Sequence, residues 1–209
     1  MKEVDIEKWE RKTQFNFFKN YEDPFFNITA NLEVTKLYNF CKTHNLSFFL
    51  GSLYIAIYSI NKIPEFQLRL RNDKVYRCDL IHIDSTILND DNTFSFCHFE
   101  YKSSIFEFIN NGKSVIENHK KGKLFDPREE ALDIVHSTTI PWVSLTSFKH
   151  ARNGNERKIG IPKLVFGKYF DENGIRKMPF SVEVHHALMD GLQVGLLFKE
   201  MQQFINELA

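Results

Sequence analysis

The stretch Ser181-Val-Glu-Val-His185-His186-Ala-Leu-Met-Asp190-Gly191 constrains this chain more than any other. It alternates like a strand up to two adjacent histidines and then breaks at Asp190-Gly191. An apolar-periodic helix from Leu192 to Leu208 is predicted to follow. Successive side chains on a strand point to opposite faces, so only one of His185 and His186 can enter a given cleft. The other packs into the protein. Histidine suits general-base chemistry near neutral pH, because its ordinary pKa is ~6.5. Asp190 then has three readings. It caps the helix, as Asp-Gly before an apolar run suggests. It holds a catalytic histidine. Or it joins both histidines around a metal, a reading that lacks a third ligand at the usual spacing. On the plainest view His185 and His186 are ordinary strand-end residues.

The remaining chain intermixes strands and helices without a strict βαβ rhythm. Helical patterns run over Trp9–Tyr21, Val34–His44, Ser47–Asn61 and Ser104–Lys121, the last interrupted at Asn110-Asn-Gly112. Strands are expected at Asn27–Leu32, Leu80–Asp84, Thr93–Tyr101, Ile134-Val135 and Trp142–Phe148. Hairpins are expected at Phe66–Arg71 with Lys74–Cys78, and at Lys163–Phe170 with Arg176–His186. This predicts an α/β chain of the α+β two-layer kind, a mixed sheet with helices packed on one side. With 209 residues, positions 1–209 suit a single domain with a substantial core. Lys and Arg number 27 against 27 for Asp and Glu, which gives no footprint for nucleic acid. Cys41, Cys78 and Cys97 are too few and too scattered for a disulfide framework. The polar start and the lack of a long apolar run argue against a signal peptide or a membrane span, and the expected home is the cytoplasm.

His185-His186-Ala-Leu-Met-Asp190-Gly191 resembles the HHxxxDG signature of CoA-dependent acyltransferases. The resemblance to the chloramphenicol acetyltransferase family runs further. Val4-Asp-Ile-Glu-Lys-Trp9-Glu-Arg11-Lys-Thr-Gln-Phe15 is similar to its opening block. Pro64-Glu-Phe66, Leu68-Arg69, Thr93-Phe94-Ser95, Ile140-Pro-Trp-Val-Ser-Leu-Thr-Ser-Phe148, Gly167-Lys168-Tyr169 and Val194-Gly195 follow collinearly. The resemblance implies a homotrimer with active sites at subunit interfaces and acetyl-CoA as co-substrate, without a metal. It implies that His186 takes the proton of an acceptor hydroxyl, which attacks the thioester within a ternary complex. It makes Asp190 a structural partner of Arg11, which read alone is an exposed helix charge.

Three positions depart from the family pattern. Thr138 stands where a serine stabilises the oxyanion, with Ser137 beside it as an alternative; threonine keeps the donor but stiffens χ1. Val165 replaces a water-binding threonine, and Phe18 replaces a tyrosine of the acceptor pocket. Phe94 and Phe148 match the pocket's aromatic lining. His150 and Arg152 stand where the family has small apolar residues, with Lys163 facing the next strand. They are either solvated charges or the mark of a more polar or anionic acceptor. The lost hydroxyls predict slower turnover of chloramphenicol, and they also motivate a non-catalytic trimeric binder of CoA or a small molecule. A dihydrolipoyl acyltransferase core, which carries a similar HxxxDG, lacks support from the amino-terminal block and would assemble as a large cage.

Overall fold

The computed structural model describes residues 1–122, 125–128 and 131–209. The chain opens with a short strand β1 (Lys2–Glu3), helix α1 (Lys12–Phe18) and a long strand β2 (Phe25–Glu33). Helices α2 (Thr35–Thr43) and α3 (Phe48–Asn61) precede the hairpin β3 (Leu68–Arg71) and β4 (Lys74–Arg77). Strands β5 (His82–Leu88) and β6 (Phe94–Phe99), helix α4 (Ile105–Gly122) and strands β7 (Ile134–Ile140) and β8 (Lys163–Gly167) come next. Strands β9 (Phe170–Glu172) and β10 (Ile175–His185) lead into helix α5 (Gly191–Glu207). The main sheet runs β2-β10-β8-β7-β5-β6. Strand β7 is parallel to β5 and β8, and the other pairs are antiparallel. The mixed sheet is therefore as expected.

Local chemistry explains most boundaries. The Ser47 hydroxyl accepts from the Leu50 N–H at 3.3 Å and starts α3. That helix is apolar nearly all round, and Leu50 through Ile57 are all buried. Asn72 and Asp73 take positive φ (52° and 58°), the left-handed pair that closes a two-residue hairpin with the strand twist. Arg69 is fully buried; its guanidinium donates to the carbonyls of Phe66, Leu68 and Ile134 and ties the small β1-β4-β3 sheet to β7.

Two expectations fail. Trp142–Phe148 is not a strand: the ladder stops at Ile140, before Pro141, and Trp142 and Val143 are 62% and 57% exposed. Pro141 has no N–H to continue the pairing. Nor do Asn110, Asn111 and Gly112 interrupt α4. Gly112 serves close packing there, since a Cβ would lie 2.8 Å from Leu50 Cδ2.

The two faces of the sheet differ in chemistry. One carries Ile83, Val135, Leu164 and Val182, which join the apolar side chains of the helices in a single core. Strand register fixes the other. His98, Asp84, His136, Lys163, Glu183 and Asn27 form a polar row, one residue from each of six strands. The next row is Phe96, Thr86, Thr138, Val165, Ser181 and Thr29, in which the hydroxyls of Thr86 and Thr138 are 2.8 Å apart. Residues 150–156 reach this face, with Arg152 Nε donating to Glu183 Oε1.

Candidate active site

Strand alternation separates the two histidines. His185, the last residue of β10, is fully buried. Its Nδ1 accepts from the Ala187 N–H at 3.1 Å and its Nε2 lies 3.1 Å from the Arg157 carbonyl oxygen. That pattern suits the neutral imidazole, and burial pushes its pKa down to about 4. His186 turns the other way. Its ring stacks on Phe18 at 3.9 Å and 7°, with Phe26 at 4.6 Å, and its backbone N–H donates to the Pro24 carbonyl at 2.8 Å. Nδ1 of His186 is buried, 3.1 Å from Asp190 Oδ1 but without hydrogen-bond geometry. The accessible nitrogen is Nε2.

Asp190 sits at the cap position of α5, and the Gln193 side chain accepts from its backbone N–H at 2.9 Å. Its carboxylate is engaged elsewhere. Arg11, from the turn before α1, grips it with both terminal nitrogens, Nη1 on Oδ2 and Nη2 on Oδ1 at 3.1 Å. Nη2 also donates to the His186 carbonyl oxygen at 2.8 Å. The Arg11 guanidinium holds the Asp190 carboxyl below the usual carboxylate range. One cation thereby fixes both the start of α5 and the backbone of His186.

Thr138, Phe94 and Phe148 belong to a different place. They line a cavity of about 680 Å³ over the polar face of the sheet. Thr86, His136 and His150 share its wall, and Ile140, Ile159 and Ile161 supply apolar surface. Val165 is fully buried beside Thr138, and Phe18 stands at His186, so neither lines this cavity. Within one chain the two groups are far apart. Ser181 is level with Thr138 through Val165, and His186 lies five residues beyond Ser181. At ~3.3 Å per residue and ~4.8 Å per strand, that places His186 roughly 19 Å from Thr138. The chain therefore holds two separate groups, one around His186 and one around the cavity.

The charges expected near the pocket are paired. Lys163 Nζ lies 2.7 Å from Glu156 Oε2 and donates to the Ala151 carbonyl at 3.1 Å. Arg152 lies between Glu156, at 3.0 Å, and Glu183, and covers the Phe25 ring at 3.5 Å. Two cations thus meet two carboxylates, and an anion gains little from this wall. The cavity's inner residues, His136, Thr86 and Glu156, escape sequence reading. Only the pairing of β5, β7 and β8 brings His136 and Thr86 beside Thr138, and no local spacing encodes that register.

The chloramphenicol acetyltransferase profile matches residues 1–202. A chloramphenicol acetyltransferase of Clostridium perfringens is 31% identical over 206 residues, covering 97% of this chain and 94% of that protein. One from Proteus mirabilis is 28% identical over 205 residues, covering 98% and 94%. A solved chloramphenicol acetyltransferase superposes with a TM-score of 0.84 at 26% identity, covering 97% of this chain and 98% of the other. The dihydrolipoamide acetyltransferase of Azotobacter vinelandii shares the fold, with a TM-score of 0.70 at 13% identity over 94% of this chain and 86% of that one. The match is collinear across nearly the whole length. The chain belongs to the chloramphenicol acetyltransferase family.

Proposed function

We propose that this protein moves an acetyl group from acetyl-CoA to a hydroxyl of a small-molecule acceptor, with chloramphenicol, named for its relatives, as the default. The observation that carries the proposal is the Arg11 clamp, which fixes the His186 backbone and the Asp190 carboxylate together while His186 Nε2 stays accessible. His186 takes the acceptor hydroxyl proton as the acceptor oxygen attacks the thioester carbonyl. The Thr138 hydroxyl donates to the oxyanion that develops. Collapse breaks the C–S bond, and the departing thiolate recovers the proton from the imidazolium. No acyl-enzyme is required.

The distance between the two groups supports a site shared between subunits, and the family resemblance makes that assembly a homotrimer in which His186 of one subunit closes over the cavity of the next. The free, buried thiols of Cys41, Cys78 and Cys97 suit a reducing cytoplasm. The test is thiol release from acetyl-CoA with chloramphenicol, on protein whose assembly size has been measured. Acceptor-dependent CoA release from a trimer supports the reading. Tight CoA binding with no transfer to any alcohol or amine would identify a binding protein, the reading suggested by the missing hydroxyls at Phe18 and Val165. A large cage would point to a dihydrolipoyl acyltransferase.

A further inference from the structure

We propose that Arg152 is a positioning residue for His186: its guanidinium holds the turn at residues 23–25, and that turn holds the His186 backbone. The inference rests on the acetyltransferase reading of His186 and adds a residue that sets where the base stands.

The His186 backbone is held from two directions. Arg11 donates to its carbonyl oxygen at 2.8 Å. Its N–H donates to the Pro24 carbonyl at 2.8 Å, so the base is as steady as the turn that carries Pro24. Pro24 lies just outside β2, past the last ladder pair, Phe25 with His185. Two cations from the loop after Phe148 grip this turn. Lys149 Nζ donates to Asp23 Oδ2 at 2.6 Å, an exposed pair of the kind that contributes little. Arg152 lies over the Phe25 ring, 3.5 Å from its centroid, and that ring packs edge-on against His185 at 5.1 Å and 79°.

The setting of Arg152 is unlike that of a solvated loop charge. Its side chain is 10% exposed, and Nε donates to Glu183, a carboxylate buried almost completely. Nη1 donates to Glu156 at 3.0 Å. Glu183 stands two residues before His185 on β10, so Arg152 is anchored on the strand that delivers the base. Nη2 is buried with no hydrogen-bond partner among the described residues. Lys163 lies 2.7 Å from Glu156, and the four charges are matched within the protein. Desolvation offsets most of the attraction in a buried ion pair, so such an array adds little net stability. A forked guanidinium on two carboxylates does fix orientation, and a desolvated cation is attracted to an aromatic face. The same loop lines the cavity through Phe148 and His150, yet Arg152 is not in the cavity wall. Its contact with Phe25 points to the base instead.

The experiment uses the intact enzyme, assayed by CoA release with acetyl-CoA and chloramphenicol. Arg152→Met with Glu183→Gln removes both members of the buried pair and strands neither, while Glu156 keeps Lys163. This enzyme should lose about tenfold in kcat, with both KM values within about twofold, because a displaced reacting group loses rate and not ground-state binding. Arg152→Lys keeps the charge and should recover part of the loss. Phe25→Leu should match the loss, and adding it to the Arg152 variant should lower kcat no further, because both act through one contact. Should the Arg152→Met, Glu183→Gln enzyme not fold, Arg152→Lys and Phe25→Leu carry the same readings.

Co-refolded mixtures separate the base from the cavity wall. A Thr138→Val chain supplies only its base, and a His186→Ala chain supplies only its cavity. Arg152→Met with Glu183→Gln should lower kcat when placed in the first chain and leave it unchanged in the second. The reverse, or a loss confined to KM, overturns the inference. If the parent mixture is inactive, the shared-site reading fails, and the kcat and additivity results decide the inference. Hydrogen exchange reads the contact without turnover. In the Arg152→Met, Glu183→Gln enzyme the His186 amide should exchange about tenfold faster, while that of Val182, inside the β2-β10 ladder, is unchanged. Equal exchange at His186 overturns the inference. If the wild type releases no CoA, the acetyltransferase reading fails, and amide exchange alone decides whether Arg152 holds the His186 backbone.

Discussion

Arg11 reaches Asp190 across 179 positions of sequence and, with the same guanidinium, holds the backbone carbonyl of His186. The pair is partly buried, with Arg11 12% and Asp190 39% exposed at the side chain. Its geometry is bidentate, which fixes orientation as well as distance. The motif's aspartate thus acts on the histidine through the loop they share.

Replacing Arg11 by Ala removes two bonds from the Asp190 carboxylate and one from the His186 carbonyl. The expected destabilisation is about 1–3 kcal/mol, below the figure for a fully buried pair because Asp190 retains solvent contact. Urea unfolding measures it. Asp190→Asn carries a pH signature. The folded-state pKa of Asp190 is depressed, so its contribution is present above the unfolded value of ~3.9 and is lost as pH falls through the folded one. Wild type and Asp190→Asn should therefore differ in stability at pH 6 and converge below about pH 4. Parallel curves down to pH 2 would remove the ion pair from the account.

His186→Ala should reduce kcat by about 10²–10⁴-fold while leaving the melting temperature and assembly size nearly unchanged, because the ring is at the surface of the core and a third exposed. His185→Ala should do the opposite. It empties a fully buried site and strands the Ala187 N–H, so stability falls first and activity follows the folded fraction. Thermal denaturation beside single-turnover kinetics separates the two histidines.

The Thr138 hydroxyl is 2.8 Å from that of Thr86, so one oxygen orients the other before any substrate arrives. Thr138→Val should lower kcat by about 10²–10³-fold, the effect of removing one oxyanion donor. Thr138→Ser should retain most of the rate. Thr86→Val leaves the donor but frees its rotor, and a loss of about tenfold or less in kcat is expected. If Thr138→Val and Thr138→Ser behave alike, the donor role belongs elsewhere, and Ser137 is a poor substitute because its hydroxyl donates to the Asp84 carbonyl at 3.0 Å.

Much of this fold is legible because the helical and strand periods are clean. The strand–His-His–Asp-Gly–helix unit reads directly, and alternation alone separates His185 from His186. Trp142–Phe148 misleads because an apolar aromatic run bounded by turns reads as a buried strand. Here Trp142 and Val143 are exposed in the single chain, and their hydrophobicity serves the surface instead of a ladder. Asn110-Asn-Gly112 misleads because glycine lowers helix propensity, while tertiary packing of α4 on Leu50 outweighs it. The cross-strand row from His98 to Asn27 is invisible for a deeper reason. Its register is set by long-range pairing, and no window of sequence contains two neighbours of that row beyond Asp84 and His98 in one hairpin.

The roughly 19 Å between His186 and Thr138 within one chain yields the sharpest test, because a shared site permits complementation. His186→Ala removes the base and leaves the cavity; Thr138→Val does the reverse. If each site combines His186 of one subunit with Thr138 of the next, mixing the two variants creates interfaces in which both residues are intact. With random assembly from equal amounts, each subunit contact has one chance in about four of pairing the two wild-type halves. Co-refolded or co-expressed variants should then recover roughly a quarter of wild-type CoA release, where each variant alone is nearly inactive. Mixing folded variants without subunit exchange should recover nothing, which controls for contamination. A site contained in one chain predicts no recovery under either condition, since every chain would carry one lesion. The double variant His186→Ala, Thr138→Val mixed with wild type adds a second check: activity per wild-type chain should fall by about half, because a wild-type half-site is wasted whenever it faces a double-variant neighbour.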